Sequence, residues 1–325
     1  SRAVVFYLPP NAILTSFRVN KLNNLTEKII SRQSGIVLYG ITPPKSNTEA
    51  SRVAQIAQAQ VQRLQGLAID GLIVYDIQDE ALRTSEQRPF PFLETLDGEY
   101  YSNRYLQGLA CPKIIYRAVG KYQQHELNRF IAACAQNNHL TVFVGAASRE
   151  QAVTMTMKQA YQLKAQSGVQ LSVGGVAIPE RHEHSGNEHQ KVFDKIAQGC
   201  EFFVSQGVYD VNASKNFLSE YYYYGLAHNI PLVPIIFTLT PCGSTKTLAF
   251  MKWLGISVPR WLENELLHSH DILQSSVALA HQNWLELKAF ADNKNIPIGC
   301  NIESVATRKV EIDASIELLQ RVCAG

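Results

Sequence analysis

The feature that most constrains this chain is an eightfold alternation. Short apolar runs rich in Val and Ile recur along it, separated by longer stretches with helical spacing. The runs lie at 35–44 (GIVLYGITPP), 70–77 (DGLIVYDI), 113–120 (KIIYRAVG), 140–146 (LTVFVGA), 170–179 (QLSVGGVAIP), 201–208 (EFFVSQGV), 231–239 (PLVPIIFTL) and 297–302 (PIGCNI). Helical patterns fall at 47–67, 123–137, 149–166, 187–198, 213–228, 245–254 and 310–322. A strand apolar on both faces belongs in a parallel sheet covered by helices on either side. Eight such units predict an α/β fold, a closed (β/α)8 TIM barrel. The rival, a doubly wound sheet, usually has fewer strands, and no GxGxxG follows the first run here.

A barrel of this kind takes roughly 250 residues, and the chain has 325. One domain over 1–325 therefore carries three additions. Residues 1–34 form an N-terminal extension whose helix, around 24–32, is expected to plug the barrel floor. Residues 78–110 are an aromatic insertion, and 256–294 add helices before the eighth strand. The charged fraction, 18%, lies below the roughly 25% of an average soluble protein and fits a large buried interior. Thirty Lys and Arg against 28 Asp and Glu leave a net charge of +2, which gives no electrostatic footprint for nucleic acid. No apolar run approaches the ~20 residues of a membrane span, and the apolar start is shorter than the roughly 7–15 residues of a signal peptide core. Six dispersed cysteines without a CxxC pair predict reduced thiols and a cytoplasmic protein. A homo-oligomer is left open.

In a barrel, chemistry is built at the C-terminal ends of the strands. That rule selects Gly40 and Thr42, Asp76 and Gln78, Arg117 and Lys121, Ala146 and Ser148, Glu180 and His182, Gln206 and Tyr209, Thr238 and Thr240, and Asn301 and Glu303. The most polar segment is PERHEHSGNEH at 179–189, with His182, His184 and His189 among three glutamates. It reads either as a metal site or as a solvated loop. HxH ligates one ion from a strand but diverges on a helix, and HExxH spacing is absent. Glu180 sits at the strand end and is the better candidate for acid–base work. Its bland role is a salt bridge or a cap. Lys195 lies seven residues after Glu188, on the same helical face. It can reach a phosphate as a point charge or form a surface ion pair. Gln206 needs a ligand or a neighbouring group, because burying its amide unpaired costs about 1–3 kcal/mol. In the run Tyr221 to Tyr224 at most two rings can share a helix face, so packing is its main reading. Gly174 and Gly175 mark a close approach of a ligand or backbone, or tight packing.

The run GGVAIPERH, then Lys195, then GCEFFVSQGVYD, resembles the methylenetetrahydrofolate reductases. Those carry a YPExH motif, a phosphate-side lysine and a GA-x-F-x-x-TQ-x-x-x-D motif. PIIFTLTPCGSTKTLAFMKWLGISVPRWL resembles that family's Pro-Gly-Ile strand, Phe-containing helix and Val-Pro element, and VLYGITPPKS resembles its first-strand FEFFPP. The similarity covers residues 36–305 and is strongest over 174–262. It implies a barrel that binds FAD and reduces methylenetetrahydrofolate with NADH or NADPH, the flavin carrying the hydride. It also implies that Gln206 contacts a folate or pterin substrate and that Phe250 packs on folate or nicotinamide. Lys195 and Glu188 would hold the diphosphate and ribose side of the flavin. Tyr116, at the place of the third-strand histidine, and His182 complete the expected cofactor set.

The chain departs from the pattern at several points. Gly40 stands where the family has the first-strand glutamate that serves pterin protonation. Gly145, Ala146 and Ala147 stand where it has Arg-Gly-Asp, Asp76 where it has a threonine, and Ile178 where it has the Tyr before Pro-Glu. With two carboxylates missing, Asp76 and Glu180 become the candidate catalytic acid–base pair. Three functions follow. The first is a divergent flavin-dependent oxidoreductase of folate one-carbon metabolism. The second is a folate-binding or one-carbon-transfer protein that has lost flavin chemistry. The third is a metal-dependent barrel enzyme using the histidine segment, although no resident metal is expected.

Overall fold

The computed structural model describes residues 24–325 apart from Arg149, and of Arg83 the backbone only. Within it, eight parallel strands close into one barrel in sequence order. They are β1 (Val37–Ile41), β2 (Gly71–Val74), β3 (Lys113–Ala118), β4 (Leu140–Val144), β5 (Val173–Ala177), β6 (Cys200–Gly207), β7 (Ile235–Leu239) and β8 (Ile298–Glu303). β8 pairs with β1 and seals the ring, with Gly40 opposite Glu303. The helices are α1 (Asn24–Ile30), α2 (Ala50–Leu64), α3 (Gly98–Tyr105), α4 (Gln124–Gln136), α5 (Met157–Ser167), α6 (Pro179–Ser185), α7 (Glu188–Ala197), α8 (Val211–His228), α9 (Thr245–Trp253), α10 (Arg260–His268), α11 (Ile272–Asp292) and α12 (Lys309–Ala324). The expected (β/α)8 architecture is therefore the observed one. Several strands are shorter than their apolar runs, because the ends of the runs turn into the loops that leave the barrel.

Successive side chains of a strand point to opposite faces, and two buried clusters result. Tyr39, Val74, Ile115, Phe143, Phe203, Phe237, Cys300 and Ile302 face outward and pack under the helices. Leu38, Ile73, Ile114, Tyr116, Val142, Phe202, Val204 and Ile236 fill the barrel. The glycine pair of β5 serves this packing. A Cβ on Gly174 would lie 2.6 Å from the ring of Phe202, and one on Gly175 would lie 2.8 Å from Phe203.

Leu25 and Ile29 of α1 belong to the interior cluster. Leu25 is so close beneath β2 that a Cβ on Gly71 would sit 2.7 Å from its Cδ2. Lys28 pairs with Asp70 at 2.6 Å, and the same carboxylate accepts from the Val37 backbone N–H. α1 thus closes the end of the barrel opposite the C-terminal strand ends. Residues 1–23 of the extension lie outside the described residues. Between β2 and α3 the insertion runs as an arch, 79–97, and α10 and α11 occupy the segment before β8. Among the described residues no helix is long and apolar enough to cross a membrane.

Truncating a fully buried floor leucine leaves a cavity. Leu25→Ala is expected to cost about 2–4 kcal/mol, read as a lower denaturant midpoint. Ile30→Ala, at a half-exposed position of the same helix, should shift it little. Equal midpoints for the two variants would mean that α1 does not seal the floor.

Candidate functional site

At the mouth, strand parity decides which residues face the cavity. On β8 the outward residues are Ile298, Cys300 and Ile302, so Asn301 and Glu303 point inward. Tyr75, just past the end of β2, and Tyr116 of β3 also belong to the interior and meet edge to face with centroids 4.8 Å apart. These side chains form a polar layer on top of the apolar filling. The Asn301 amide nitrogen donates to the Tyr75 hydroxyl at 2.9 Å and to Thr238 Oγ1 at 3.1 Å. Thr238 Oγ1 in turn donates to the Ser205 carbonyl at 2.7 Å. The Tyr75 hydroxyl is hydrogen-bonded to the Glu303 carboxylate. Asn301 Oδ1 is buried without a partner.

Glu303 is the acidic member of this layer. Burial raises its pKa above the ordinary carboxylate value, and the Tyr75 hydrogen bond pulls it partly back. Burial and the nearby Glu303 charge also raise both phenols, Tyr75 and Tyr116, well above the usual tyrosine value. Gly40 stands opposite Glu303 across the β8–β1 seam. A Cβ there would lie 2.9 Å from the Tyr75 ring and 3.3 Å from Asn301 Oδ1. The Tyr75 ring thus fills the space that a side chain at position 40 would need, and the carboxylate enters from the adjacent strand.

The residues expected from the sequence are dispersed. Asp76 has the opposite parity to Tyr75 and turns to the β3 loop. It accepts from the Ala118 backbone N–H at 2.8 Å, from the Lys121 ammonium and from the Tyr122 hydroxyl at 3.2 Å. Glu188 caps the Ile178 backbone N–H at 3.0 Å and pairs with Lys191 at 3.3 Å. The Lys195 ammonium donates to the Val176 carbonyl at 2.8 Å, on the outer side of β5, and burial lowers its pKa. Gln206 does find a neighbour, its Nε2 donating to the Leu254 carbonyl at 2.6 Å. Phe250 stacks on Trp253 and meets Phe90 of the arch at 5.2 Å. The Arg88 guanidinium lies 5.1–5.4 Å from the ring centroids of Phe92, Phe250 and Trp253. Since the Trp253 indole also donates to the Glu86 carbonyl, the arch is fastened to α9 and crosses the rim from β2 towards β7.

The segment 179–189 is largely helical. Pro179 fixes the first turn of α6 and Gly186, at φ 65°, ends it. His182 and His189 meet edge to face at 5.3 Å, and burial lowers the pKa of His189. Among the described residues, no group of three His, Cys, Asp or Glu side chains is placed to hold a metal ion. Glu180, in the first turn of α6, is 6% exposed and has no hydrogen-bond partner beyond its own backbone N–H. Burial pushes its carboxyl up to about 7, and the charges of Asp210 and Glu188 add to the effect.

Where the family pattern has a fourth-strand aspartate, neutral amides meet instead. Gln78 donates to the Gly145 carbonyl at 2.9 Å, Gln151 donates to Gln78 at 3.3 Å, and the Ala147 backbone N–H donates to Gln151 Oε1 at 2.8 Å. The expected flavin residues also do not converge. Tyr116 is inside the barrel, Lys195 and Glu188 are spent on the β5 backbone, and His182 packs against His189 and Phe217. This set does not fit a flavin cradle. Asn301 and Glu303 stand at a strand end without a role that residue type alone assigns, and Tyr75 is not among the strand-end residues. Strand parity was the signal that would have promoted all three.

The methylenetetrahydrofolate reductase family model matches residues 144–285, from the end of β4 into α11. A solved structure from Clostridium thermocellum is described as an uncharacterized protein that binds two copies of 5-methyl-5,6,7,8-tetrahydrofolic acid. It is 50% identical with a TM-score of 0.82, over 92% of this chain and 98% of that one. A 2,3-dimethylmalate lyase of the PEP mutase/isocitrate lyase superfamily is 12% identical over 91% of this chain and 93% of its own, with a TM-score of 0.41. A likeness at that level carries no argument about chemistry. No curated protein matches the chain.

Glu180 makes stability depend on pH. Below its ordinary value near 4.5, folded and unfolded chains both hold the proton. Between 4.5 and about 7 the unfolded chain ionises first, so folding stability falls as pH rises. At about 1.4 kcal/mol per pKa unit, the loss reaches up to about 3 kcal/mol above pH 7. Glu180→Gln should therefore raise the melting temperature at pH 8 and leave it nearly unchanged at pH 4.5. A gain of the same size at both pH values would remove the case for a protonated Glu180.

Proposed function

The chain belongs to the methylenetetrahydrofolate reductase family, and we propose that it binds a reduced folate at the barrel mouth without a resident flavin. The observation that carries this reading is the inward carboxylate of Glu303, held by Tyr75 opposite Gly40. It occurs in a chain 50% identical to a structure described as binding 5-methyltetrahydrofolate. The 2-amino-4-oxopyrimidine edge of a pterin offers two neighbouring N–H donors, and a carboxylate accepts both in a bidentate, charge-assisted pair. Gln206, with its Nε2 spent on Leu254, keeps Oε1 as an amide acceptor. The folate's own carboxylates would meet Arg88 of the arch, whose Nε and Nη1 have no hydrogen-bond partner.

Flavin chemistry has less support. The residues that would hold the cofactor are engaged elsewhere, and the fourth-strand acid is replaced by the Gln78–Gln151 amide network. NADH or NADPH belongs to the reductive reading and has no role in this one. The six cysteines are free thiols, which goes with a reducing compartment such as the cytoplasm. The family match keeps one rival in view, a flavin-dependent reductase, and that rival predicts a yellow protein.

Purified protein incubated with FAD is expected to show no flavin absorption after desalting, while calorimetric titration with 5-methyltetrahydrofolate saturates. Glu303→Gln should weaken that binding about 10- to 100-fold, the equivalent of a charge-assisted pair worth about 1.5–3 kcal/mol. Because burial raises the Glu303 pKa, affinity should also fall on mild acidification, before an ordinary carboxylate would protonate. A stoichiometrically bound flavin, or no folate binding by the wild type, would overturn the reading.

A further inference from the structure

On the flank of the barrel α3 and α4 enclose a cleft of about 660 Å3, within the size range of small-molecule sites. Arg117 stands in its lining. It is an outward residue of β3 and only 2% exposed. Its guanidinium lies between aromatic rings, 3.7 Å from the centroid of Phe130 and 4.5 Å from that of Tyr122. Nη1 donates to Asp97 Oδ2 at 2.6 Å. Asp97 is fixed independently, because its other oxygen caps α3 by accepting from the Tyr100 backbone N–H.

The opposite edge of the guanidinium meets only looser neighbours, the Tyr122 hydroxyl and the Glu99 carboxylate. Nε and Nη2 are both buried without a hydrogen-bond partner, and the nearest acid, Glu99 Oε2, is 3.7 Å from Nη2. These two nitrogens form the side-on fork of an arginine, which suits the two oxygens of one carboxylate. Buried donors are almost always paired. A buried fork with only these loose neighbours, lining a cleft of this size, therefore points to a ligand. We propose that the flank cleft binds an aromatic organic carboxylate, its acid group taken side-on by Arg117 and its ring packed along the tyrosine-lined wall.

The charges around the cleft allow this. Asp97 is neutralised by Arg117, and Glu126 is spent on the Gln123 backbone N–H at 2.7 Å. Glu99 lies 3.6 Å from Arg129 and has a pKa raised by burial, which reduces the repulsion a second anion would meet. Arg104 and Arg129 are exposed at the rim and would steer an anion inward. The inference is independent of the mouth, since none of these residues belongs to the folate site.

The test uses hippurate, a benzoyl amino acid, followed by ligand-observed NMR on the intact protein. Saturable binding is expected. It should be at least tenfold weaker for the neutral amide of hippurate and for Arg117→Lys, which keeps the charge but loses the fork. Gln107→Trp, which places a bulky ring at an exposed position in the lining, should also block it. If Arg117→Lys does not fold, Gln107→Trp decides alone. The proposal is overturned if no saturable binding occurs, if the neutral amide binds as well as hippurate, or if binding survives in the Gln107→Trp variant.

Discussion

The closed hydrogen-bonded ring of eight strands is the constraint on which the rest of this molecule depends. Closure removes every free sheet edge and assigns each strand residue to one of two places, the barrel interior or the layer under the helices. The chemistry follows that assignment more closely than it follows residue type. Asp76 and Tyr75 are neighbours in sequence, yet one is a strap for the β3 loop and the other lies in the mouth. Tyr116 and Arg117 divide in the same way, one against Tyr75 and the other against the flank cleft.

The acidic groups show how position sets the state of a carboxylate. Glu311 is fully buried, yet it is satisfied by the Gly243 backbone N–H, the Thr247 hydroxyl and the Arg308 guanidinium. Its role is to hold the loop after β7. Glu180 is almost as deeply buried, lacks such partners and keeps a proton up to about neutral pH. Glu303 lies between these cases. One phenol supports its charge, and its inward direction leaves the rest of its hydrogen-bonding capacity for whatever enters the mouth. Of the three, its surroundings best suit a ligand with paired N–H donors.

Much of the fold was legible in the sequence because hydrophobic periodicity is local. Each apolar run announces its own strand, and eight of them leave few architectures. The floor helix was legible for the same reason, whereas α6 was not: its segment reads as a metal site or a solvated loop, although Pro179 and Gly186 mark its two ends. The site was less so. Attention to the charged segment 179–189 follows from its density of His and Glu, but a helix spreads those side chains around its axis. The partner of Gly40, by contrast, lies on the last strand. Only closure of the ring brings Glu303 beside it, and no local pattern carries that information.

The same closure explains how a first-strand acid can be absent without leaving the mouth uncharged. In a parallel pair, residues in register on neighbouring strands with the same parity point into the barrel side by side, about 4.8 Å apart. A carboxylate moved from β1 to β8 therefore keeps its depth and direction and is displaced by only one strand. The exchange requires a small residue at the original position, because the Tyr75 ring that supports Glu303 occupies that space. Gly40 meets the requirement, since any Cβ there would strike that ring at 2.9 Å. On this argument Gly40, Tyr75 and Glu303 form one unit. At the fourth strand no neighbouring acid takes over, and the amides of Gln78 and Gln151 close the gap as a neutral contact. The mouth thus keeps one inward carboxyl group of the expected pair, carried by β8 instead of β1.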